Sequence, residues 1–277
     1  TLILYYLNGN IAYRLATALL IVSSGIMLFT LERCNIILLA EIFILFYLFN
    51  YNNENNIYKE LALMSLAIAA SIKITPAILG VLLLYKRQFK EAFRSMIYGL
   101  CAFFFPFLFF KGGFSNISLM IEHMQMFFET YSDYNGISMK ALAYNIKSWI
   151  NPDYVWPSTW DLSVRIISIL LTIVFIIMAS VMKKEWEQWL FLVIPMIIFP
   201  KISNEYCLIY FIPVLIGFLN DQSRSMEDAL ILLAFILGWN TYVLFEIPNY
   251  QIAMSLLIFA ALIKAVKRMG DFITLLI

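Results

Sequence analysis

The sequence has few charged residues. Asp, Glu, Lys and Arg make up 13% of its 277 residues, about half of the roughly 25% that is typical of a soluble domain. Apolar side chains make up 62%, and runs such as 36–50, 95–110 and 162–182 are too long and too numerous for one water-soluble core. In hydrocarbon, backbone groups must be satisfied within helices or a closed barrel, and these runs lack the alternation of barrel strands. The composition therefore predicts an all-α polytopic membrane protein.

Residues that build metal, redox and nucleotide sites are also scarce. Cys34, Cys101 and Cys207 are odd in number and lack CxxC spacing, so we interpret them as packing residues and expect neither a zinc site nor a disulfide framework. A single histidine, His123, argues against a His-based metal site or a Ser/His/Asp triad. There is no Gly-rich phosphate loop and no DxD pair, so no metal, cofactor or soluble nucleotide donor is expected. The net charge of +1 without a basic patch gives no sign of nucleic-acid binding.

Hydropathy along the chain predicts ten membrane segments within one transmembrane domain that covers residues 1–277. A polar outward loop, residues 111–161, separates the fifth segment from the sixth. The chain begins with Thr1, opens directly into apolar sequence and lacks a signal-peptide pattern, so we expect an N-terminally truncated chain. The segments are 11–30, 36–50, 59–72, 75–86, 92–110, 162–182, 187–200, 204–220, 228–246 and 250–266.

The third and fourth segments are separated at Lys73 and Pro76. Residues 61–84 can be written as one long helix, but the proline removes a backbone hydrogen bond and a central charge is costly in the membrane. We therefore expect a hairpin of two short helices. This hairpin places on one side, which the positive-inside rule makes cytoplasmic, twelve of the 19 basic residues: Arg14, Lys59, Lys86, Arg87, Lys90, Arg94, Lys183, Lys184, Arg224, Lys264, Lys267 and Arg268.

Three polar clusters fall at the predicted outer boundary of the membrane. A lysine at a helix break can receive an anionic group such as a lipid phosphate, although snorkelling or pairing with a carboxylate is an alternative. The second cluster has a structural alternative too, because Asn35 can cap the helix that follows it. The clusters are Lys73; then Glu32, Arg33 and Asn35; and then Lys201, Ser203, Asn204, Glu205 and Tyr206.

The outward loop is rich in aromatic residues. Apolar side chains recur at helical spacing over Ile117–Phe128, which predicts an amphipathic helix at the membrane interface. We interpret Trp156 and Trp160 as part of an aromatic belt that anchors the loop, with sugar stacking as the alternative.

Four segments occur in an order that resembles glycosyltransferase family 87, of the GT-C superfamily: LERCNIILLAEIF, AIAASIKITPAILGVLLLYKRQFKEAFR, YNGISMKALAYNI and ISNEYCLIYFIPVL. In that family a GQxN- or RGN-like motif precedes a helix, and a Lys-Pro motif at a broken helix pair precedes a basic turn. An N-x-S-L-like motif lies in an outward loop, and a polar segment with Ser and Tyr opens a late span. Cys34 stands where the family usually has Gly or Gln, and Ile137 where it often has Gln or Val.

The resemblance implies a GT-C-like bundle that transfers a hexose, often mannose. The donor would be a polyprenyl-phosphate sugar, and the acceptor a lipid-linked molecule or glycan at the outer face of the plasma (inner) membrane, among membrane lipids. It implies that Lys73 and Arg33 contact the donor phosphate, that Asn35 and Glu205 orient hydroxyl groups, and that Tyr206 packs against sugar or lipid. The family's presumed catalytic carboxylate would lie upstream of residue 1, so this chain alone is expected to be inactive.

Two other functions remain open. A flippase or transporter usually contains an internal repeat, and none is evident in this sequence. A lipid-linked glycan polymerase or ligase would be expected to carry arginines for pyrophosphate in its outward loop, and residues 111–161 contain none.

Overall fold

The computed structural model describes residues 1–130, 136–151, 153, 155–240, 243–244 and 247–276. These residues form a helical bundle with one small antiparallel ladder, Val243–Leu244 against Ile247–Pro248. Four 3₁₀ helices occupy Thr75–Gly80, Phe105–Leu108, Gly113–Ser115 and Glu205–Phe211. The α-helices are α1 Leu2–Tyr6, α2 Ile11–Val22, α3 Gly25–Glu32, α4 Ile37–Asn50, α5 Asn56–Ile72, α6 Val81–Tyr85, α7 Phe89–Phe104, α8 Asn116–Thr130, α9 Met139–Ile150, α10 Trp160–Val181, α11 Glu185–Ile198, α12 Ile212–Asn220, α13 Asp228–Gly238 and α14 Asn249–Leu276.

The predicted all-α architecture is confirmed, but ten spans are not. By length and composition, two of the described helices can cross a membrane, Phe89–Leu108 and Trp160–Val181. A third span results if α2 and α3, which are bent by 53° at a short break, are counted together. Other apolar helices are shorter, because breaks and 3₁₀ turns interrupt the hydrophobic runs from which we predicted single spans.

The predicted segments 11–30 and 228–246 are not continuous helices in the structure. Segment 11–30 breaks because the Ser24 hydroxyl caps α3, accepting a bond from the Met27 N–H, while the Gly25 N–H bonds to the Trp239 carbonyl. Segment 228–246 ends as a helix at Gly238 and is followed by the first strand, although positions 241, 242, 245 and 246 lie outside the described residues.

The bundle is built around α11. Every side chain from Trp186 to Ile198 is buried, as expected of a helix that is apolar on all sides. α10, α12 and the Glu205–Phe211 3₁₀ helix pack against it. The core is therefore central, and α7, α8 and α10 expose large apolar side chains at its periphery.

The predicted break at Lys73 is confirmed. α5 ends at Ile72, Lys73 is extended with φ −146° and ψ 125°, and Pro76 lies in the first turn of the next 3₁₀ helix, where its missing N–H costs nothing. The chain then turns back, so that a Cβ on Gly80 would lie 3.5 Å from the Leu66 side chain.

The pairing of α5 with α7 also requires this hairpin. Contacts between the two helices advance in the same direction along both, so the helices are parallel. Two consecutive parallel helices need a returning segment between them, and residues 75–85 provide it. In order along α5, the contacts are Lys59 with Glu91 at 3.4 Å, the Leu63 carbonyl with the Ser95 hydroxyl at 3.3 Å, and Ala67 beside Gly99.

The end of the bundle opposite Lys73 is held by ion pairs. Lys264 Nζ of α14 lies 2.9 Å from Glu187 Oε1 of α11 and 2.7 Å from Asp228 Oδ1 of α13. Its side chain is only 8% exposed, and the Ser225 hydroxyl lies 3.4 Å away. The ammonium thus ties three helices together, with two buried carboxylates around it.

A second ion pair lies in the neighbouring loop. Lys184 Nζ is 2.7 Å from Asp221 Oδ2, which also accepts a bond from the Trp186 indole N–H. Burial raises the pKa of the Asp221 carboxyl, but the bonds from Lys184, Ser223 and Trp186 outweigh burial and hold the pKa well below its usual value. The carboxylate is therefore charged at neutral pH and fixes the start of α11 to the end of α12.

We expect Lys264→Met to destabilise the protein by about 3–5 kcal/mol, because it leaves two buried carboxylates without a counter-ion. The melting temperature in detergent checks this. Lys267→Met is the matched control, since Lys267 lies one helical turn further along α14 and its side chain is 59% exposed. Equal melting temperatures for the two variants would contradict the role given to Lys264.

The hairpin predicts that residues 52 and 74 label from opposite sides of the membrane. Asn52 and Ile74 are both exposed, Ile74 by 80%. With Cys34 and Cys101 changed to serine, a membrane-impermeant maleimide should modify Ile74→Cys in intact cells and Asn52→Cys only after permeabilisation. Labelling of both cysteines under one condition would contradict the hairpin.

Candidate functional site

Lys73 lies at the tip of the hairpin and points into the bundle. Its Nζ is 3.2 Å from the buried Cys207 sulfur and 5.8 Å from the ring centroids of Tyr206 and Tyr210. A thiol is a weak acceptor, and no ion pair joins Lys73 to any carboxylate among the described residues. This partly buried ammonium therefore has donors available for an anionic ligand.

The Glu205–Phe211 3₁₀ helix forms the wall opposite Lys73. It packs against α3, α4, α11 and α12, so it lies where the ends of several helices meet. Glu205 and Tyr206 are half-buried at its start, and the Asn204 side chain lies 3.3 Å from the Tyr206 hydroxyl. The structure thus brings Lys73 and Tyr206 together.

The turn that carries Arg33 and Asn35 joins α3 to α4. The Asn35 side chain accepts a bond from the Ile37 N–H at 3.1 Å, so Asn35 caps α4. Arg33 is exposed, and its guanidinium lies 4.4 Å from the Phe29 ring of its own helix. Both residues belong to a turn beside the 3₁₀ wall, but no described contact joins Arg33 to Lys73.

Cys34 explains why this turn favours glycine. Its φ is +46°, a left-handed conformation that is strained for most side chains and easy for glycine. This is the position at which Cys34 departs from the Gly or Gln of the related motif. The departure therefore keeps the backbone shape and adds a side chain.

The loop motif reaches the same region. The Ile137 N–H donates to the Ser203 carbonyl at 2.6 Å, and Gln251 of α14 donates to the Gly136 carbonyl at 2.9 Å. Ser138 caps α9 through the Ala141 N–H. Positions 134 and 135, the Tyr and Asn that begin this motif, lie outside the described residues. The described part of the motif is thus held against Ser203, the residue directly before Asn204.

Lysines elsewhere at this end have partners. Lys201 donates to the Phe128 carbonyl near the end of α8 at 2.6 Å, and Lys140 pairs with Asp161 at 2.8 Å. The Lys140 ammonium also lies 5.7 Å from the ring of Trp156, which is 8% exposed. This geometry favours an anchoring role for Trp156 over sugar stacking. It also sets Lys73 apart from these two lysines.

Sequence reasoning missed Glu41 and undervalued Cys207. Glu41 lies on the buried face of α4, is 4% exposed and has no hydrogen-bond partner for either oxygen among the described residues. Its helix packs against the 3₁₀ wall that carries Tyr210. The signal for Glu41 was a lone acidic residue within ILLAEIFILF, since such residues in membrane segments usually have a function. Cys207 is buried as predicted, but it is also the contact of Lys73.

An apolar groove runs beside the hairpin, between α5, residues 74–84 and α7. Its volume is about 750 Å³. Its walls include small residues such as Ala67, Ala77 and Gly99, which leave room for a chain to lie against the helices. The groove extends to Ile74, the residue that follows Lys73.

These features define an α-helical membrane protein in which a cation, without a counter-ion among the described residues, lies at a helix break beside an apolar groove. Residues 2–203 match glycosyltransferase family 87. The chain therefore belongs to glycosyltransferase family 87 and is a membrane glycosyltransferase. No curated protein and no solved structure gives a significant match. The family match includes Arg33, Asn35 and Lys73 and ends just before Glu205.

Proposed function

We propose that this protein transfers a hexose, in the first instance mannose, from a polyprenyl-phosphate donor to a lipid-linked or glycan acceptor. The reaction would take place at the outer face of the plasma membrane, in a multi-pass bundle whose shorter apolar helices complete about ten crossings. One observation carries this proposal. The Lys73 ammonium lies at the tip of a hairpin and has no carboxylate partner among the described residues.

Lys73 would stabilise the leaving group. When the bond between the sugar and the phosphate breaks, negative charge grows on the departing polyprenyl phosphate. A cation fixed in surroundings of low dielectric stabilises such charge more strongly than water does. Because its only described hydrogen-bond acceptor is the Cys207 thiol, Lys73 can turn to the phosphate at little cost.

The groove would hold the isoprenoid chain of the donor. A hydrocarbon chain gains free energy from each methylene group removed from water or headgroup contact. The groove offers an apolar wall that ends at Ile74, so a chain bound there would have its phosphate end close to the hairpin tip. This arrangement accounts for both parts of a lipid-linked donor.

The remaining candidates would surround the sugar and the acceptor. Asn35 uses its carbonyl oxygen as a helix cap, which leaves its amide N–H groups to orient hydroxyls. Glu205 would accept hydrogen bonds from hydroxyls at the mouth, and Tyr206 would pack against the sugar or lipid. Arg33 is long enough to leave the Phe29 ring and join Lys73 on the phosphate. We assign no catalytic base to this chain.

Lys73→Met should abolish sugar transfer by the full-length protein without lowering the abundance of the protein in membranes. The measurement is incorporation of radiolabelled sugar from a polyprenyl-phosphate donor. Lys111→Met is the control, because Lys111 is exposed in the predicted outward loop and belongs to no proposed site. Activity of Lys73→Met equal to that of the control would remove Lys73 from the mechanism.

Ala77→Phe should fill the groove and raise KM at least about tenfold for a long-chain donor, while a donor with a one- or two-isoprene chain is little affected. Ala77 is exposed, so the larger ring can enter the groove without displacing the core. Ala229→Phe is the matched control on the exposed face of α13. An equal rise for both chain lengths would show that the groove does not hold the chain.

A further inference from the structure

Glu41 and Tyr210 form a polar island deep in the bundle. Tyr210 is 1% exposed and Glu41 is 4% exposed. The Tyr210 hydroxyl and both Glu41 oxygens have no hydrogen-bond partner among the described residues, and the helix that carries Glu41 packs against the 3₁₀ helix that carries Tyr210. Tyr210 belongs to the apolar core of the bundle, and so do Ile37 and Ile44, which lie about one turn before and after Glu41 on α4. The bonding capacity of Glu41 and Tyr210 is therefore unused in this structure.

Such an arrangement has a substantial cost. A buried donor or acceptor left without a partner reduces the stability of the protein, and an unpaired charge reduces it further. Protein interiors rarely keep polar groups of this kind unless another molecule satisfies them. The island also lacks a structural reason, because Glu41 makes no ion pair with any described residue, in contrast to Glu187 at the other end of the bundle.

The island continues inward from the proposed phosphate site. Tyr206 and Tyr210 lie four residues apart on one 3₁₀ helix, which corresponds to about 8 Å along its axis. Lys73 Nζ is equidistant from both rings, at 5.8 Å. Lys73 and Tyr206 are partly exposed, whereas Tyr210 and Glu41 are not. Polar groups therefore run from the mouth, past the ammonium, to the carboxyl group.

We propose that Glu41 is a sugar-recognition residue of the donor site, accepting hydrogen bonds from hydroxyl groups of the transferred hexose, with the Tyr210 hydroxyl donating to a sugar oxygen. This inference rests on the proposed transferase function. Binding of the phosphate draws Lys73 away from Cys207, and the sugar then lies against Tyr210 and Glu41. A glutamic acid side chain offers acceptor oxygens, and an O–H donor as well when it is protonated, so it can bond two neighbouring hydroxyls.

This role makes Glu41 a determinant of specificity. A site built to bind a hydroxyl rejects an analogue that lacks it, because the buried polar group of the protein is then left unpaired. Wild-type protein should therefore discriminate strongly against the deoxy donor that lacks the hydroxyl bound by Glu41. Removal of the carboxylate should weaken transfer of the normal sugar and reduce the discrimination.

The experiment uses the full-length protein in membranes. The donors are mannosyl polyprenyl phosphate and its monodeoxy analogues. For wild-type protein, kcat/KM for at least one deoxy donor should fall by about 100-fold or more. For Glu41→Gln, kcat/KM for the normal donor should fall about 10- to 100-fold, the size expected for one or two lost buried hydrogen bonds, and the deoxy discrimination should shrink at least tenfold.

Glu54→Gln is the matched control, since Glu54 is exposed and belongs to no proposed site. Tyr210→Phe, which removes only the hydroxyl, is the second variant and decides the matter if Glu41→Gln does not accumulate. Discrimination unchanged from wild type in the variant that accumulates would overturn this inference and leave the proposed function intact. A wild-type protein that transfers no hexose from any polyprenyl-phosphate donor would overturn the proposed function itself.

Discussion

The organisation of this protein depends on one constraint, which is that backbone groups in apolar surroundings must find hydrogen-bond partners within the chain. Pro76 cannot donate, so α5 cannot continue through it, and the chain turns back as a 3₁₀ helix. That turn makes α5 and α7 parallel, opens the groove between them and leaves Lys73 at the tip. Fold and candidate site are thus consequences of the same break.

The two ends of the bundle use buried charge in different ways. At one end Lys264 lies between two carboxylates and joins three helices, so its charge stabilises the fold. At the other end Lys73 contacts a thiol, and Glu41 has no hydrogen-bond partner among the described residues. Because unpaired buried groups reduce stability, a ligand that completes Lys73 and Glu41 would account for their presence there.

Features set by neighbouring residues could be predicted from the sequence, and features set by distant contacts could not. The break at Lys73, the helix α4 and the amphipathic helix α8 follow from proline chemistry and apolar spacing. The bend after α2 depends on a bond from Gly25 to Trp239, and the contact of Lys73 with Cys207 joins residues 134 positions apart. Hydropathy does not register breaks within an apolar run, so segments such as 11–30 were predicted as single helices.

The convergence of the four motif segments is stronger support for a site than any motif alone. The turn at Cys34 lies between two helices that pack on the Glu205–Phe211 wall. The Ile137 N–H is bonded to the carbonyl of Ser203, just before that wall. Lys73 meets the wall from a third direction. A purely structural role would explain each of the motif segments separately. It would not explain why the segments meet around a lysine that has no counter-ion among the described residues.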